Sequence, residues 1–202
     1  MKLYNVLKAI SIFSHESGYV QGMNYLVAIL LMYMEEEEAF WAMVSILKHY
    51  DHEKYFLPGM PGLWESFYVF EKLLKDQVPK VYNHFNKLHI WPSMYASQWF
   101  ITIFTVGWKF ENTVRVFDAF LGEGEKILYR IALYVMKANK DQIISGGTEE
   151  LFAVIRLFLK NIDENELLQK AWSIKITRKQ ILKYAQEYKE DKDKQDEVEA
   201  LD

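Results

Sequence analysis

Apolar residues recur at helical spacing along almost the whole chain. Leu3, Val6, Leu7 and Ile10 predict a first helix, and Val27, Leu30, Leu31 and Met34 predict a second. Glu35 to Glu38 then stand ahead of Phe40, Met43, Val44 and Leu47, as suits the positive end of a helix dipole, and predict a solvated helix start. Pro58-Gly59-Met60-Pro61-Gly62 reads as a loop before Phe67, Phe70 and Leu74. Pro79 opens a helix through Val81, Tyr82 and Phe85, since proline is tolerated in a first turn. After the break at Trp91-Pro92-Ser93, the run from Ser97 to Phe104 predicts a fully buried helix with Trp99 and Phe100 in the core.

The second half continues the pattern. Val114, Phe117 and Leu121 share a face of a helix that Gly122 and Gly124 end, and Ile127, Ile131, Tyr134 and Val135 start the next. Thr148 is the expected N-cap of a helix bearing Leu151, Ile155 and Phe158. Thr177 and Gln180 fit a capping box for a last helix with one narrow stripe, Ile181, Tyr184 and Tyr188. Beyond Lys189 the chain is nearly all charge, so residues 189–202 are expected to be a frayed helix or disordered tail, with a coiled coil open to a C-terminal continuation. No convincing β alternation and no fixed repeat occur, so the expected fold class is all-α, an irregular multi-helix domain over residues 1–188.

Composition narrows the function. The chain has 202 residues, 50% of them hydrophobic, enough for a large core. A formal net charge of −4 without a basic stripe argues against nucleic acid as a partner. The absence of cysteine removes disulfides and thiol chemistry. Lack of cysteine is compatible with the expected cytoplasmic setting, Lys8 interrupts any leader-like apolar run, and Tyr25 to Met34, short of the roughly 20 residues a bilayer requires, reads as a buried helix rather than a transmembrane segment.

Candidate chemistry is concentrated in Gly18-Tyr19-Val20-Gln21-Gly22-Met23-Asn24, a junction between two hydrophobic helices. Gly18 is expected to close the first helix with a positive φ, and Gly22 to admit a foreign backbone or phosphate where a Cβ would block it. Gln21 would point outward, its carboxamide able to orient a water and donate to an oxyanion without net charge. From spacing alone the stretch also reads as an ordinary turn, with Asn24 as the N-cap of the second helix. His49 and His52 with Asp51 lack a third ligand at a recognised spacing, so no metal site is expected. Arg115 and Asp118 are expected to form an intrahelical ion pair rather than an acid-base site.

Tyr19-Val20-Gln21-Gly22 resembles the YxQG motif of the TBC domain, a helical domain that activates Rab-type small GTPases. Trp99-Phe100 and Arg115-Val116-Phe117-Asp118 resemble two further motifs of that family in the same order, with Phe117 in place of the usual tryptophan. Gly107-Trp108-Lys109-Phe110 lacks the proline common in the corresponding loop. The resemblance implies a GTP-bound Rab as partner, with GTP and Mg²⁺ carried by that GTPase and no cofactor on this chain. It also implies a peripheral place at endomembranes. It further implies Gln21 as a glutamine finger acting in trans, supported by Tyr19, Gly22, Met23 and Asn24. The family's second finger, the arginine of IxxDxxR, has no counterpart here, and Arg115 is the first arginine. The sequence therefore resembles the larger C-terminal part of the domain, with the arginine expected from a missing upstream part or another chain. A non-catalytic Rab-binding module and a helical scaffold are the alternatives.

Overall fold

The computed structural model describes residues 1–199. Among the described residues twelve α-helices and two 3₁₀ turns follow one another and no strand occurs.

Helices α1 (Lys2–Phe13), α2 (Met23–Tyr33) and α3 (Glu36–Lys48) pack on each other and bury Val6, Ile10, Leu26, Val27, Met43 and Leu47 between them. The start of α3 is where the acidic run predicts it. Glu38 Oε2 accepts the Glu35 amide proton at 3.2 Å, and Lys2 pairs with Glu35 across the trio. A 3₁₀ turn, His52–Tyr55, leads into α4 (Pro61–Gln77). Pro61 and Gly62, expected in the loop, form the first turn of that helix, because a proline at this position forfeits no intrahelical bond.

Helix α4 is the central strut, touching the 3₁₀ turn, α5 (Pro79–Leu88), α6 (Ser97–Ile101), α8 (Lys126–Ala138) and α12 (Arg178–Glu199). Helix α6 departs from expectation. It ends after five residues, and Ile103 and Phe104 follow with φ of 51° and 55°, yet both stay buried. The Thr102 hydroxyl bonds back to the Gln98 carbonyl at 2.6 Å, and Phe104 stacks on Trp99 at 5.4 Å, so aromatic packing selects a left-handed turn over continued helix.

In α7 (Phe110–Glu123) the buried stripe runs through Thr113, Val116, Phe117 and Phe120, leaving the expected Val114 and Leu121 half-buried at its edges. Gly124, at φ 73°, ends α7 and lets α8 return across it. Helices α9 (Lys140–Ser145), α10 (Thr148–Asn161) and α11 (Glu164–Trp172) complete the body. Gly147, not Thr148, occupies the N-cap of α10, its amide donating to Glu150 Oε2 at 2.9 Å.

The capping box of α12 forms as its sequence predicts. Thr177 N–H donates to Gln180 Oε1 at 2.9 Å, and Gln180 N–H donates to Thr177 Oγ1 at 3.2 Å. Tyr184 and Tyr188 lie half-buried along α4, where Tyr184 bonds Asp76 and Tyr68 bonds Asp191. Helix α12 is continuous through the charged stretch to Glu199, and residues 200–202 of the expected tail lie outside the described residues. From Lys189 to Glu197 the chain has no apolar residue, so this stretch has no coiled-coil seam of its own.

Candidate functional site

The junction between α1 and α2 spans Ser14 to Gly22. Ser14 N–H still closes on the Ile10 carbonyl, and Gly18, at φ 61°, returns its own N–H to the Ser14 carbonyl at 2.7 Å. Gly18 therefore closes the loop's first turn and not the helix, which ends earlier at Phe13. The Ser17 hydroxyl is buried in this turn and has no hydrogen-bond partner among the described residues.

Tyr19 is exposed beside a shallow apolar groove that it shares with Tyr4, Leu7, Lys8 and Ser11. Val20 tucks against the core, so the chain alternates outward, inward, outward across Tyr19, Val20 and Gln21. Gln21 is exposed, and among the described residues its carboxamide has no partner. Met23 is completely buried as the first residue of α2 and anchors the far side of the loop.

Gly22 is buried at φ 116°. A Cβ there would sit 2.8 Å from Ile101 Cγ2 and 3.5 Å from Phe56. The space a side chain would take is thus filled by this chain's own core, which corrects the expectation that Gly22 leaves room for a foreign backbone or phosphate. Asn24 is also not the N-cap. It is the second residue of α2, and its Oδ1 reaches back to accept the Gly22 amide proton at 3.1 Å.

Beneath the loop lies His52, which sequence reasoning weighed only as a metal ligand. It is buried among Tyr55, Phe56 and Phe120, and its Nε2 sits 3.0 Å from the Ile101 carbonyl. A carbonyl can only accept, so Nε2 carries the proton and the imidazole is the neutral Nε2–H tautomer. Burial pushes its pKa down to about 4, against the pull of that carbonyl and of Glu125. His49 is exposed. Ser14 is a second hidden support, its hydroxyl donating to Glu53 Oε1 at 3.1 Å while Lys48 holds Glu53 Oε2 at 2.5 Å.

A polar cluster that nothing in the sequence announced fixes this region from below. Glu125 Oε1 accepts from Tyr55 at 2.5 Å, from Ser66 at 3.1 Å and from Tyr129 at 3.1 Å, joining residues far apart in the chain. Burial, reinforced by Glu125, holds both phenols well above their ordinary pKa, so they remain neutral donors. Lys54 completes the cluster with Glu65 and Glu125. Burial opposes its charge, and the surrounding carboxylates outweigh that and raise its pKa. Arg115 and Asp118 are both exposed on α7, and among the described residues no ion pair joins them, since water solvates such charges about as well as each other would.

A family model described as the Rab-GTPase-TBC domain matches residues 1–144. The Ecotropic viral integration site 5 ortholog of Drosophila melanogaster is 34% identical over 192 residues, covering 92% of this chain and 23% of that protein. The GTPase-activating protein GYP5 of Eremothecium gossypii is 37% identical over 166 residues, covering 81% of this chain and 20% of that protein. The chain thus spans a quarter or less of the length of these relatives. The crystal structure of the Chlamydomonas flagellar RabGAP TBC domain superposes with a TM-score of 0.71 at 27% identity, over 84% of this chain and 57% of that one. The family match over residues 1–144, the relatives at 34% and 37% identity and the all-helical fold place the chain in the Rab GTPase-activating TBC domain family.

Proposed function

We propose that this chain acts on a GTP-bound Rab-type small GTPase and that Gln21 is the residue it presents to the reaction. The observation that carries this reading is the contrast between Gln21 and its neighbours. Gly22 and Met23 are buried and Val20 packs half-buried against the core, whereas the Gln21 carboxamide is exposed and unpartnered among the described residues. A rigid base under a free amide suits a group delivered in trans. Such an amide can accept a hydrogen bond from the attacking water through its oxygen, which orients that water, and donate N–H to charge developing on the γ-phosphoryl oxygens.

GTP and Mg²⁺ belong to the partner in this scheme, and Tyr19 with its apolar groove is a contact for that partner beside the reacting centre. Among the described residues no helix is long and apolar enough to cross a membrane. In this scheme arginine help comes from outside this sequence, which has no counterpart of the IxxDxxR motif. Of its four arginines, Arg130 is held by Glu123, Arg178 donates to the Glu123 carbonyl, and Arg115 and Arg156 lie exposed on α7 and α10.

The test is single-turnover phosphate release from GTP-loaded Rabs, with and without Gln21→Ala, in a full-length protein that contains this sequence. The expected result is a large fall in the stimulated rate with Rab affinity nearly unchanged, because an interaction made only in the transition state lowers turnover rather than binding. Full activity of the variant would reduce Tyr19 to Gly22 to a turn. Nucleotide-dependent binding without any stimulated hydrolysis would favour a non-catalytic Rab-binding module.

A further inference from the structure

Both ends of the Gln21 loop are seated on one short turn of the chain. At the start, the buried Ser14 hydroxyl donates to Glu53, whose carboxylate is held from its other side by Lys48. At the end, Gly22 rests on Ile101 and Phe56, and the Ile101 carbonyl accepts the His52 Nε2 proton. His52, Glu53 and Phe56 belong to the 3₁₀ turn and its exit, and the same turn is tied by Tyr55 and Lys54 to α4 and to Glu125, the residue that caps α8.

We propose that His52 and Glu53 are positioning residues for Gln21, setting where its carboxamide stands relative to the bound GTPase without touching it. The inference rests on the role proposed for Gln21. Two features separate it from general packing. The loop's own hydrogen bonds are few, chiefly Gly18 N–H to the Ser14 carbonyl, Met23 N–H to the Val20 carbonyl and Gly22 N–H to Asn24 Oδ1, and none of them ties it to the rest of the fold, so its placement there depends on what it rests on. The supports are also directional polar bonds in a place where apolar side chains would cost less desolvation. A buried imidazole that donates to one carbonyl fixes that carbonyl in angle as well as distance.

Reacting groups displaced by about 1 Å lose on the order of 10²-fold in rate, so loosening either seat is a kinetic lesion. In a full-length protein that contains this sequence, Ser14→Ala and His52→Leu are expected to lower the single-turnover rate constant by about tenfold or more, while the Rab concentration at half-saturation moves less than about twofold. Ser14→Thr and His52→Gln, which keep a hydroxyl and a side-chain N–H donor, are expected to recover most of the rate.

The decisive readout is non-additivity. On a Gln21→Ala background, Ser14→Ala and His52→Leu should cause no further loss, because both act through Gln21. Equal losses on both backgrounds, or a loss carried by the half-saturation concentration, would overturn the positioning role and leave the Gln21 reading standing. A Gln21→Ala protein with full activity would overturn both. Ser14→Ala removes one hydroxyl without opening the core, so the test holds even where His52→Leu folds poorly.

Discussion

Asn24 Oδ1 accepts the Gly22 amide proton at 3.1 Å, reaching back from inside α2 to the residue that precedes it. One side chain thereby satisfies a donor at the helix N-terminus and pins the backbone immediately after Gln21. Asn24→Ala is expected to cost about 1 kcal/mol, the net worth of one such bond, whereas Asn24→Asp keeps the acceptor and adds favourable charge at the helix start. Urea denaturation midpoints of the two variants check this, and equal losses would show that the bond contributes nothing.

Trp99 carries much of the aromatic core. It is 4% exposed, stacks on Phe104 at 5.4 Å and meets Tyr95 edge-on at 5.6 Å. Trp99→Ala is expected to destabilise the fold by about 3 to 5 kcal/mol. It should also release the left-handed Ile103-Phe104 turn. Thermal unfolding measures the first effect, and an unchanged midpoint would mark Trp99 as a surface contact instead.

The residues that the sequence makes legible are those whose local chemistry decides their state. Thr177 and Gln180 form their box, Pro79 opens α5, and the acidic run opens α3, because capping and dipole effects depend on neighbours within four positions. The misplacements arise where a distant contact overrides local preference. Helix α6 stops early because Phe104 has Trp99 to stack on, and Gly22 is required by Ile101, a residue remote in sequence. At the candidate site, the exposed glutamine between glycines is visible from sequence and family resemblance. Its supports are not, since Ser14, His52 and Glu53 take part in no recognisable spacing and meet the loop only through tertiary packing.

His52 predicts a pH dependence with a definite sign. Its pKa is about 4 in the folded chain against 6.5 for the free imidazole. Between those values the unfolded chain binds the extra proton, so stability rises with pH across this window. The contribution is complete above about pH 6.5 and is lost as pH falls toward about 4, amounting to about 3 kcal/mol. Unfolding free energies measured from pH 4 to 7 for the native chain and for His52→Gln isolate it, since carboxylate titrations are common to both. Parallel profiles would show that His52 is protonated as easily in the fold as outside it.

The last expectation concerns this sequence acting alone. An arginine that stabilises charge on the transferred phosphoryl group is worth ~10³ to 10⁵ in rate, or roughly 4 to 7 kcal/mol of barrier. No arginine lies in the Gln21 loop or on the helices α1 and α2 that flank it. Arg130 and Arg178 are engaged at the Glu123 turn, and Arg115 and Arg156 project from other helices. Residues 1–202 by themselves should therefore give little stimulation of GTP hydrolysis on any Rab, even at concentrations that saturate binding. Arg115→Ala and Arg156→Ala should change neither that residual rate nor the rate of a full-length protein containing the sequence. Phosphate release under single-turnover conditions measures both. Strong activation by residues 1–202 that disappears with Arg115→Ala or Arg156→Ala would identify a finger within this sequence and reverse the assignment.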